Sequence, residues 1–120
     1  MSGRTILVAE DDASVRRFLV TVLERDGYEV IQAVDGSAAI AALGDSAIVI
    51  DAVVSDIDMP GASGLEVVAF ARSTRPGIGL VLASGTNLWT ADQIADGVTL
   101  LQKPFTIDQL IEAIEATLPT

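Results

Sequence analysis

The sequence has neither cysteine nor histidine among its 120 residues. Without cysteine, a disulfide scaffold, a cysteine-ligated zinc site and thiol chemistry are excluded. Without histidine, a Ser/His/Asp triad and a histidine-ligated metal site are excluded as well. Aromatic residues make up only 4% of the chain, whereas apolar residues make up 50%. We therefore expect a folded protein with an aliphatic core rather than a disordered chain.

Basic residues are also scarce: the chain has 7 basic and 17 acidic residues, and its net charge is −10. This balance predicts no direct nucleic-acid partner, because nucleic-acid binding needs a basic face. No apolar run approaches the ~18 residues that indicate a membrane span, and Met1–Arg4 is too short and polar for a signal peptide. We therefore predict no membrane insertion and a cytoplasmic location. Lys103 is the only lysine in the chain.

Short apolar runs alternate with amphipathic stretches five times along the chain. This pattern predicts an α/β fold of (βα)5 form, in which helices cover both faces of a doubly wound, five-stranded parallel sheet. The predicted strands are apolar on both faces, and the length suits one domain. Their bounds are Ile6–Ala9, Tyr28–Ala33, Asp51–Ser55, Leu80–Ala83 and Thr99–Gln102.

The helices are predicted from their apolar periodicity and their capping residues. Asp12 is placed to cap the first helix, and Thr106 with Gln109 forms a capping box before the last. The stretch from Thr86 to Gly97 predicts a short or irregular fourth helix. On the first helix, Arg16 and Arg17 are interpreted as a solvated face. The apolar face of that helix consists of Val15, Phe18, Leu19, Val22 and Leu23.

Polar residues stand at the carboxyl ends of four predicted strands. Glu10 and Asp11 follow the first, Asp56 the third, Ser84 the fourth and Lys103 the fifth. In an open parallel sheet these ends share one edge, and ligands bind there at the point where strand order reverses. With the strand order 2-1-3-4-5, the first and third strands are neighbours, so the three acids meet in one crevice.

Three carboxylates in one crevice need a partner of opposite charge. Two of them ~4 Å apart repel by about 4 kcal/mol at an effective dielectric constant near 20. Mg²⁺ prefers oxygen ligands and suits one or two carboxylates together with a phosphate. One lysine and one hydroxyl beside such a site are suitable partners for phosphate oxygens. The layout therefore predicts phosphoryl transfer onto a carboxylate.

Four short segments occur in order at these strand ends. They are Ile6–Asp12, Val53–Pro60 followed by Gly64, Ala83–Gly85, and Lys103–Phe105. Through them the chain resembles, from about Arg4 to Leu118, the receiver domain of two-component response regulators, including chemotaxis regulators. The resemblance implies a flavodoxin-like fold and a single receiver domain over residues 1–120, with no output domain in this chain.

The resemblance implies a metal site for Mg²⁺, with Mn²⁺ as a substitute. Asp11 would bind the ion directly, and Glu10 would bind it through a water molecule. Asp56 would be a further ligand, and Asp58 would contribute its backbone carbonyl.

The resemblance also assigns the phosphoryl group. Asp56 would be the phosphoacceptor, Ser84 would bond a phosphoryl oxygen, and Lys103 would pair with the phosphoryl group. The Lys103–Pro104 bond is commonly cis in the family. With Mg²⁺, the domain is expected to catalyse its own phosphorylation and dephosphorylation without being a conventional enzyme.

The implied partners are proteins of a signalling pathway. Because the chain has no histidine, the phosphate would come from a histidine kinase or a histidine phosphotransfer protein. The phosphorylated domain would then dock on a downstream protein target or pass the phosphate on in a phosphorelay. The run Leu101–Phe105 resembles receivers attached to hybrid histidine kinases, so a stand-alone protein and an excised domain both stay open.

One residue departs from the family pattern. Many receivers carry tyrosine or phenylalanine three residues before the lysine, where the ring moves when the hydroxyl residue engages the phosphoryl group. Here that position is Leu100. The usual aromatic switch is therefore expected to be absent or altered.

Two functions of other classes share part of this pattern. The run Asp56-Ile57-Asp58 has the Asp-x-Asp form of haloacid dehalogenase-like, Mg²⁺-dependent phosphohydrolases, although that motif normally follows the first strand. Toprim-type nucleic-acid enzymes also combine a glutamate after the first strand with a later Asp-x-Asp. The net charge of −10 counts against the second alternative.

Overall fold

A computed structural model describes residues 3–85 and 97–118. The elements are β1 (Thr5–Ala9), α1 (Ala13–Arg25), β2 (Glu29–Ala33), α2 (Gly36–Gly44), β3 (Ala52–Asp56), α3 (Gly64–Thr74), β4 (Gly79–Ser84), β5 (Thr99–Gln102) and α4 (Ile107–Thr117). The short fourth helix predicted between Thr86 and Gly97 lies outside the described residues, so α4 is the helix predicted as the last. Within the described ranges, no helix has both the length and the apolar character needed to cross a membrane.

The five strands form one parallel sheet in the order β2-β1-β3-β4-β5, which confirms the predicted fold. Ala9 at the end of β1 lies opposite Ser55 of β3, and Asp56 lies opposite Ala83 of β4. The carboxyl ends of the central strands are therefore level with one another. We call this side of the sheet the carboxyl edge and the opposite side, where the strands begin, the amino edge.

Two apolar layers cover the two faces of the sheet. Ile6 and Val8 point into the layer under α1 and α4, whereas Leu7 and Ala9 point into the layer under α2 and α3. This alternation follows from the two-residue repeat of a strand. Each fully buried leucine or isoleucine contributes about 1.5–3 kcal/mol relative to an exposed one, so the aliphatic core is a sufficient source of stability.

The expectation of strands buried on both faces holds for the central strands and is wrong for the outer two. Every residue of β1 and β4 is buried, whereas β2 exposes Glu29 and Gln32, and β5 exposes Leu100 and Gln102. The reason is position in the sheet. An outer strand has a neighbour on one side only, and the helices among the described residues leave part of its surface uncovered.

Helix α1 begins as predicted, because the Asp12 carboxylate accepts hydrogen bonds from the backbone N–H groups of Ser14 and Val15. Thr106 and Gln109 form the predicted capping box before α4. One residue of the predicted apolar face differs. Phe18 is 46% exposed and lines an open pocket beside Phe105, because it lies on the border of the stripe rather than over the sheet.

Candidate functional site

Three carboxylates converge at the carboxyl edge. One carboxylate oxygen each from Glu10, Asp11 and Asp56 lies within 4.8 Å of the other two. The strand register produces this cluster: Ala9 lies opposite Ser55, so the next residues, Glu10 and Asp56, stand side by side. The structure therefore brings together the three acids that the sequence predicted to share a crevice.

Glu10 is the most buried acid of the cluster, with only 3% of its surface exposed. Its Oε2 accepts a hydrogen bond from the backbone N–H of Asp12 at 3.1 Å, and its own N–H donates to the Ala33 carbonyl at 3.1 Å. Burial raises the pKa of Glu10, a shift that the Asp12 N–H and the Lys103 ammonium partly offset. A buried carboxylate whose pKa is raised in this way is one that a nearby cation would stabilise.

The single lysine lies across the same cluster. The Nζ atom of Lys103 is 3.2 Å from Oδ1 of Asp56 and 3.5 Å from Oε1 of Glu10. Its backbone N–H donates to the Ser84 carbonyl at 2.8 Å, which holds the lysine at the ends of β4 and β5. The Lys103–Pro104 bond is cis, as the resemblance implied. Burial acts to lower the pKa of Lys103, but the Asp56 and Glu10 carboxylates outweigh it and raise the pKa.

Asp56 ends β3 and reaches the surface only in part, with 11% of its side chain exposed. The following Ile57 N–H donates to the Ala83 carbonyl at 3.1 Å, which keeps the chain in the sheet just past the acid. Gly64, at the start of α3, lies close to the Asp56 backbone. A Cβ atom at Gly64 would stand 2.3 Å from the Asp56 carbonyl oxygen, so only glycine allows α3 to begin so near the acid.

Ser84 and Asp58 occupy different surroundings. Ser84 is buried at the end of β4, one residue beyond the Ala83 that pairs with Asp56, so it lies at the same edge. Asp58 is exposed in the loop after β3, and its carboxylate is not part of the acid cluster. The role expected for Asp58 concerns its backbone carbonyl and stays a prediction, as does the role of the Ser84 hydroxyl.

Arg16 contacts the backbone of the acid cluster, which the sequence interpretation missed. It was expected on a solvated face, yet it is half-buried, and its Nη1 donates to the Glu10 carbonyl at 2.8 Å. Arg17, the next residue, is exposed as predicted. A signal was available, because side chains on a helix slant towards its N-terminus, and the acids immediately precede α1.

The acid cluster has the donor chemistry of a hard divalent cation. All three ligand groups are carboxylates, and their oxygens are close enough to bind one ion. Oxygen donors of this kind suit Mg²⁺ and Mn²⁺ rather than softer metals. The residues present therefore fit the predicted metal.

Leu100 stands in β5 at the predicted position of the aromatic switch. Its side chain is 45% exposed on the outer strand of the sheet. It packs neither as a buried core residue nor among the acids of the cluster. Because this position carries no aromatic ring, the folded protein also lacks the usual aromatic switch residue on β5.

Comparison with known proteins agrees with this geometry. The response regulator receiver domain family matches residues 6–115. The chain is 38% identical over 115 residues to the uncharacterized transcriptional regulatory protein YrkP of Bacillus subtilis, covering 94% of this chain and 48% of that protein. The chain thus spans about half the length of this curated relative.

Two solved structures are similar over nearly the whole chain. A response regulator receiver protein from Sinorhizobium medicae has a TM-score of 0.90 and 33% identity, covering 97% of this chain and 94% of that one. The response regulator TrrA from Thermotoga maritima, solved in complex with Mg²⁺ and BeF, has a TM-score of 0.84 and 30% identity. The overlap with TrrA covers 96% of this chain and 99% of that one.

Proposed function

The chain belongs to the response regulator receiver domain family, and on that premise we propose that its Asp56 accepts a phosphoryl group from the histidine of a partner protein. The observation that carries this proposal is the arrangement around Asp56. Its carboxylate lies 3.2 Å from the only lysine and within 4.8 Å of two further acids. The donor is a histidine kinase or a histidine phosphotransfer protein, because the chain has no histidine of its own.

The reaction is a displacement at phosphorus. An Asp56 carboxylate oxygen forms the new O–P bond while the N–P bond of the phosphohistidine breaks, and the imidazole nitrogen keeps the electron pair. Charge spreads over the phosphoryl oxygens in the transition state, so positioning and electrostatic stabilisation supply most of the rate. Lys103 pairs with one of those oxygens, and the Ser84 hydroxyl donates a hydrogen bond to another. Later, water attacks phosphorus, the O–P bond to Asp56 breaks, and inorganic phosphate leaves with the Asp56 carboxylate regenerated.

A divalent cation, Mg²⁺ or Mn²⁺, neutralises phosphoryl charge at this site when it is bound. Asp11 and Asp56 would hold it directly, Glu10 would hold it through water, and the backbone carbonyl of Asp58 would be a further ligand. The burial of Glu10 beside two other carboxylates supports this assignment, because a cation would offset the negative charge gathered there.

The output is contact with other proteins. We propose that residues 1–120 act as a single receiver domain in the cytoplasm, and that phosphorylation changes its binding to a downstream protein or supplies a phosphorelay. Because position 100 on β5 is leucine, this change does not use the inward movement of an aromatic ring at that position.

The alternative functions are not supported. The family match over residues 6–115 is to receivers rather than to phosphohydrolases or nucleic-acid enzymes. Asp56 follows the third strand, and the exposed Asp58 carboxylate lies outside the acid cluster, so it is poorly placed as the second acid of an Asp-x-Asp phosphohydrolase.

Incubation with Mg²⁺ and radiolabelled acetyl phosphate tests the phosphoacceptor. Wild-type protein should incorporate label, and Asp56→Asn should incorporate none, because an amide oxygen is a poor nucleophile. Asp26→Asn, which changes an exposed acid at the end of α1, is the matched control and should behave as wild type. Equal incorporation by Asp56→Asn and wild type would falsify the assignment of Asp56.

Thermal unfolding tests the metal site. We expect added Mg²⁺ to raise the melting temperature, because an ion that binds only the folded chain stabilises it. At 100 times the dissociation constant the gain is about 2.7 kcal/mol. Asp11→Asn should lose most of this gain, and Asp26→Asn should retain it. A melting temperature that does not move with millimolar Mg²⁺ in the wild type would contradict a preformed site.

A further inference from the structure

Arg16 makes a contact that the proposed chemistry does not yet use. Its Nη1 donates to the backbone carbonyl of Glu10 at 2.8 Å, across six residues of the chain. Arg16 is half-buried on α1, whereas its neighbour Arg17 is exposed. The contact therefore joins the helix to Glu10, the first residue after β1.

We propose that Arg16 is a positioning residue for the metal site and, through it, for phosphoryl transfer. The proposal rests on the proposed function. The Glu10 carbonyl and the Asp11 N–H belong to one planar peptide unit, so fixing the carbonyl also fixes the direction in which the chain leaves β1 towards Asp11. The guanidinium thus holds Asp11 in place for a cation before any cation arrives.

The atom that Arg16 contacts supports a positioning role. Lys103 binds carboxylate oxygens of Asp56 and Glu10, the same groups that a cation needs. Arg16 instead binds a backbone oxygen, so it orders the loop while those carboxylate oxygens stay available. A guanidinium is suited to this place, because it is always charged and its donors form a rigid planar fork.

Charge alone would have the opposite effect. A positive side chain beside a metal site repels the incoming cation, so a purely electrostatic Arg16 would weaken Mg²⁺ binding. Removing its charge would then tighten binding. Arg17 carries the same charge one residue away and is exposed, so a matched pair of variants separates the hydrogen bond from the charge.

The experiment compares Arg16→Gln with Arg17→Gln in the full chain. Both variants lose one charge and keep a good helix former, and glutamine is too short to replace the arginine contact. Mg²⁺ binding is measured by titration calorimetry, and exchange of the Asp12 amide hydrogen, which is bonded to the Glu10 carboxylate, is measured without metal. We expect Arg16→Gln to bind Mg²⁺ about 10-fold more weakly, the low end for loss of an outer-shell partner, and to exchange this amide faster.

Arg17→Gln should stay within about twofold of wild type, and Arg16→Lys should recover part of the affinity because it keeps a hydrogen-bond donor. Phosphorylation of Arg16→Gln by acetyl phosphate should be slow at low Mg²⁺ and recover at saturating Mg²⁺. If Arg16 had a purely structural role, the phosphorylation rate of Arg16→Gln would not recover at saturating Mg²⁺. Should Arg16→Gln not fold, Arg16→Lys against Arg17→Lys takes its place, with an expected loss of about threefold.

Equal or tighter Mg²⁺ binding by the folded Arg16 variant, compared with its Arg17 counterpart, overturns the positioning role. Failure of the proposed function gives a different result. Labelling of Asp56→Asn would then equal that of wild type, whereas the calorimetric comparison of the arginine variants does not depend on the phosphoacceptor.

Discussion

The carboxyl and amino edges of the same sheet differ in how they place charge. At the carboxyl edge, three carboxylates crowd together, and two of them, those of Glu10 and Asp56, share the ammonium of Lys103. At the amino edge, one guanidinium, that of Arg75, is bonded to three backbone carbonyls in the last turn of α2 and in the loop that follows it. These bonds run from Nε to Leu43 at 3.0 Å, from Nη1 to Ile48 at 2.7 Å and from Nη2 to Asp45 at 2.8 Å.

Other polar groups at the amino edge are also paired within the chain. The Asp51 carboxylate accepts a hydrogen bond from the Thr5 N–H at 2.8 Å, and the Thr117 hydroxyl accepts one from the Leu80 N–H at 2.8 Å. These bonds tie the starts of β1 and β4 to their surroundings. The amino edge thus contributes stability, whereas the carboxyl edge keeps an excess of negative charge that a ligand must balance. Functional sites often reduce the stability of the folded protein in this way, here through repulsion between like charges.

Substitution of Lys103 should produce the largest effect, and it should fall on function. We expect Lys103→Ala to slow phosphorylation of Asp56 by acetyl phosphate by about 100-fold or more, as is typical when one charged donor to the transition state is lost. Initial labelling rates at saturating Mg²⁺ measure this effect. Arg25→Ala, an exposed cation in the last turn of α1, is the control. A fall of less than about threefold would mean that the carboxyl edge does not depend on its one ammonium.

Substitution of Arg75, unlike that of Lys103, should reduce the stability of the fold and leave phosphorylation nearly unchanged. Arg75→Ala removes three charge-assisted hydrogen bonds at once, although the freed carbonyls can partly turn to water. We expect the free energy of unfolding in urea to fall by about 2–4 kcal/mol. The labelling rate of the folded fraction should stay within about twofold of wild type, because Arg75 lies at the other edge.

Arg25→Ala again serves as the control, since it should change stability by less than about 0.5 kcal/mol. If Arg75→Ala slowed labelling as strongly as Lys103→Ala, the two edges would not be separate in function. If it left the urea midpoint unchanged, the amino edge would not be the stabilising one.

The smallest effect should come from Tyr28, at the amino edge before β2. Burial raises the pKa of the Tyr28 phenol above its ordinary value, and nearby Asp26 adds to the shift. The folded chain therefore holds the phenolic proton more tightly than the unfolded chain does. Its contribution to stability is present below the unfolded-state pKa and declines as pH rises towards the folded-state pKa.

Tyr28→Phe should remove this part of the alkaline loss of stability. Urea midpoints for wild type and Tyr28→Phe, measured from neutral to strongly alkaline pH, should differ in slope only at the alkaline end. Parallel curves over the whole range would show that Tyr28 does not contribute to the pH dependence of the amino edge.

Much of the fold follows from local patterns. The cap at Asp12 and the capping box of Thr106 and Gln109 depend on residues at most three positions apart, and both form as expected. The bounds of β5, Thr99–Gln102, also agree with the prediction from its local apolar pattern. The exposure of Phe18 was not predicted, because a helical stripe does not show which of its members lie over the sheet.

The site was predictable as a set of residues and less so as a set of contacts. Position at strand ends pointed to Glu10, Asp11, Asp56, Ser84 and Lys103, and the structure places all five at one edge. The bond from Arg16 to the Glu10 carbonyl was not predicted. An arginine on a helix resembles any solvated cation in the sequence, and only its direction in space distinguishes it.

The sequence by itself determined the alternation of strands and helices, the caps and the polar strand ends, because each depends on neighbours along the chain. The tertiary structure decided which charges meet. Lys103 reaches Glu10 across 93 positions, and that meeting depends on the register of β1, β3, β4 and β5. The contrast between the two edges arises in the same way, since the three bonds of Arg75 span 27 to 32 positions and exist only once α2 and α3 have packed together.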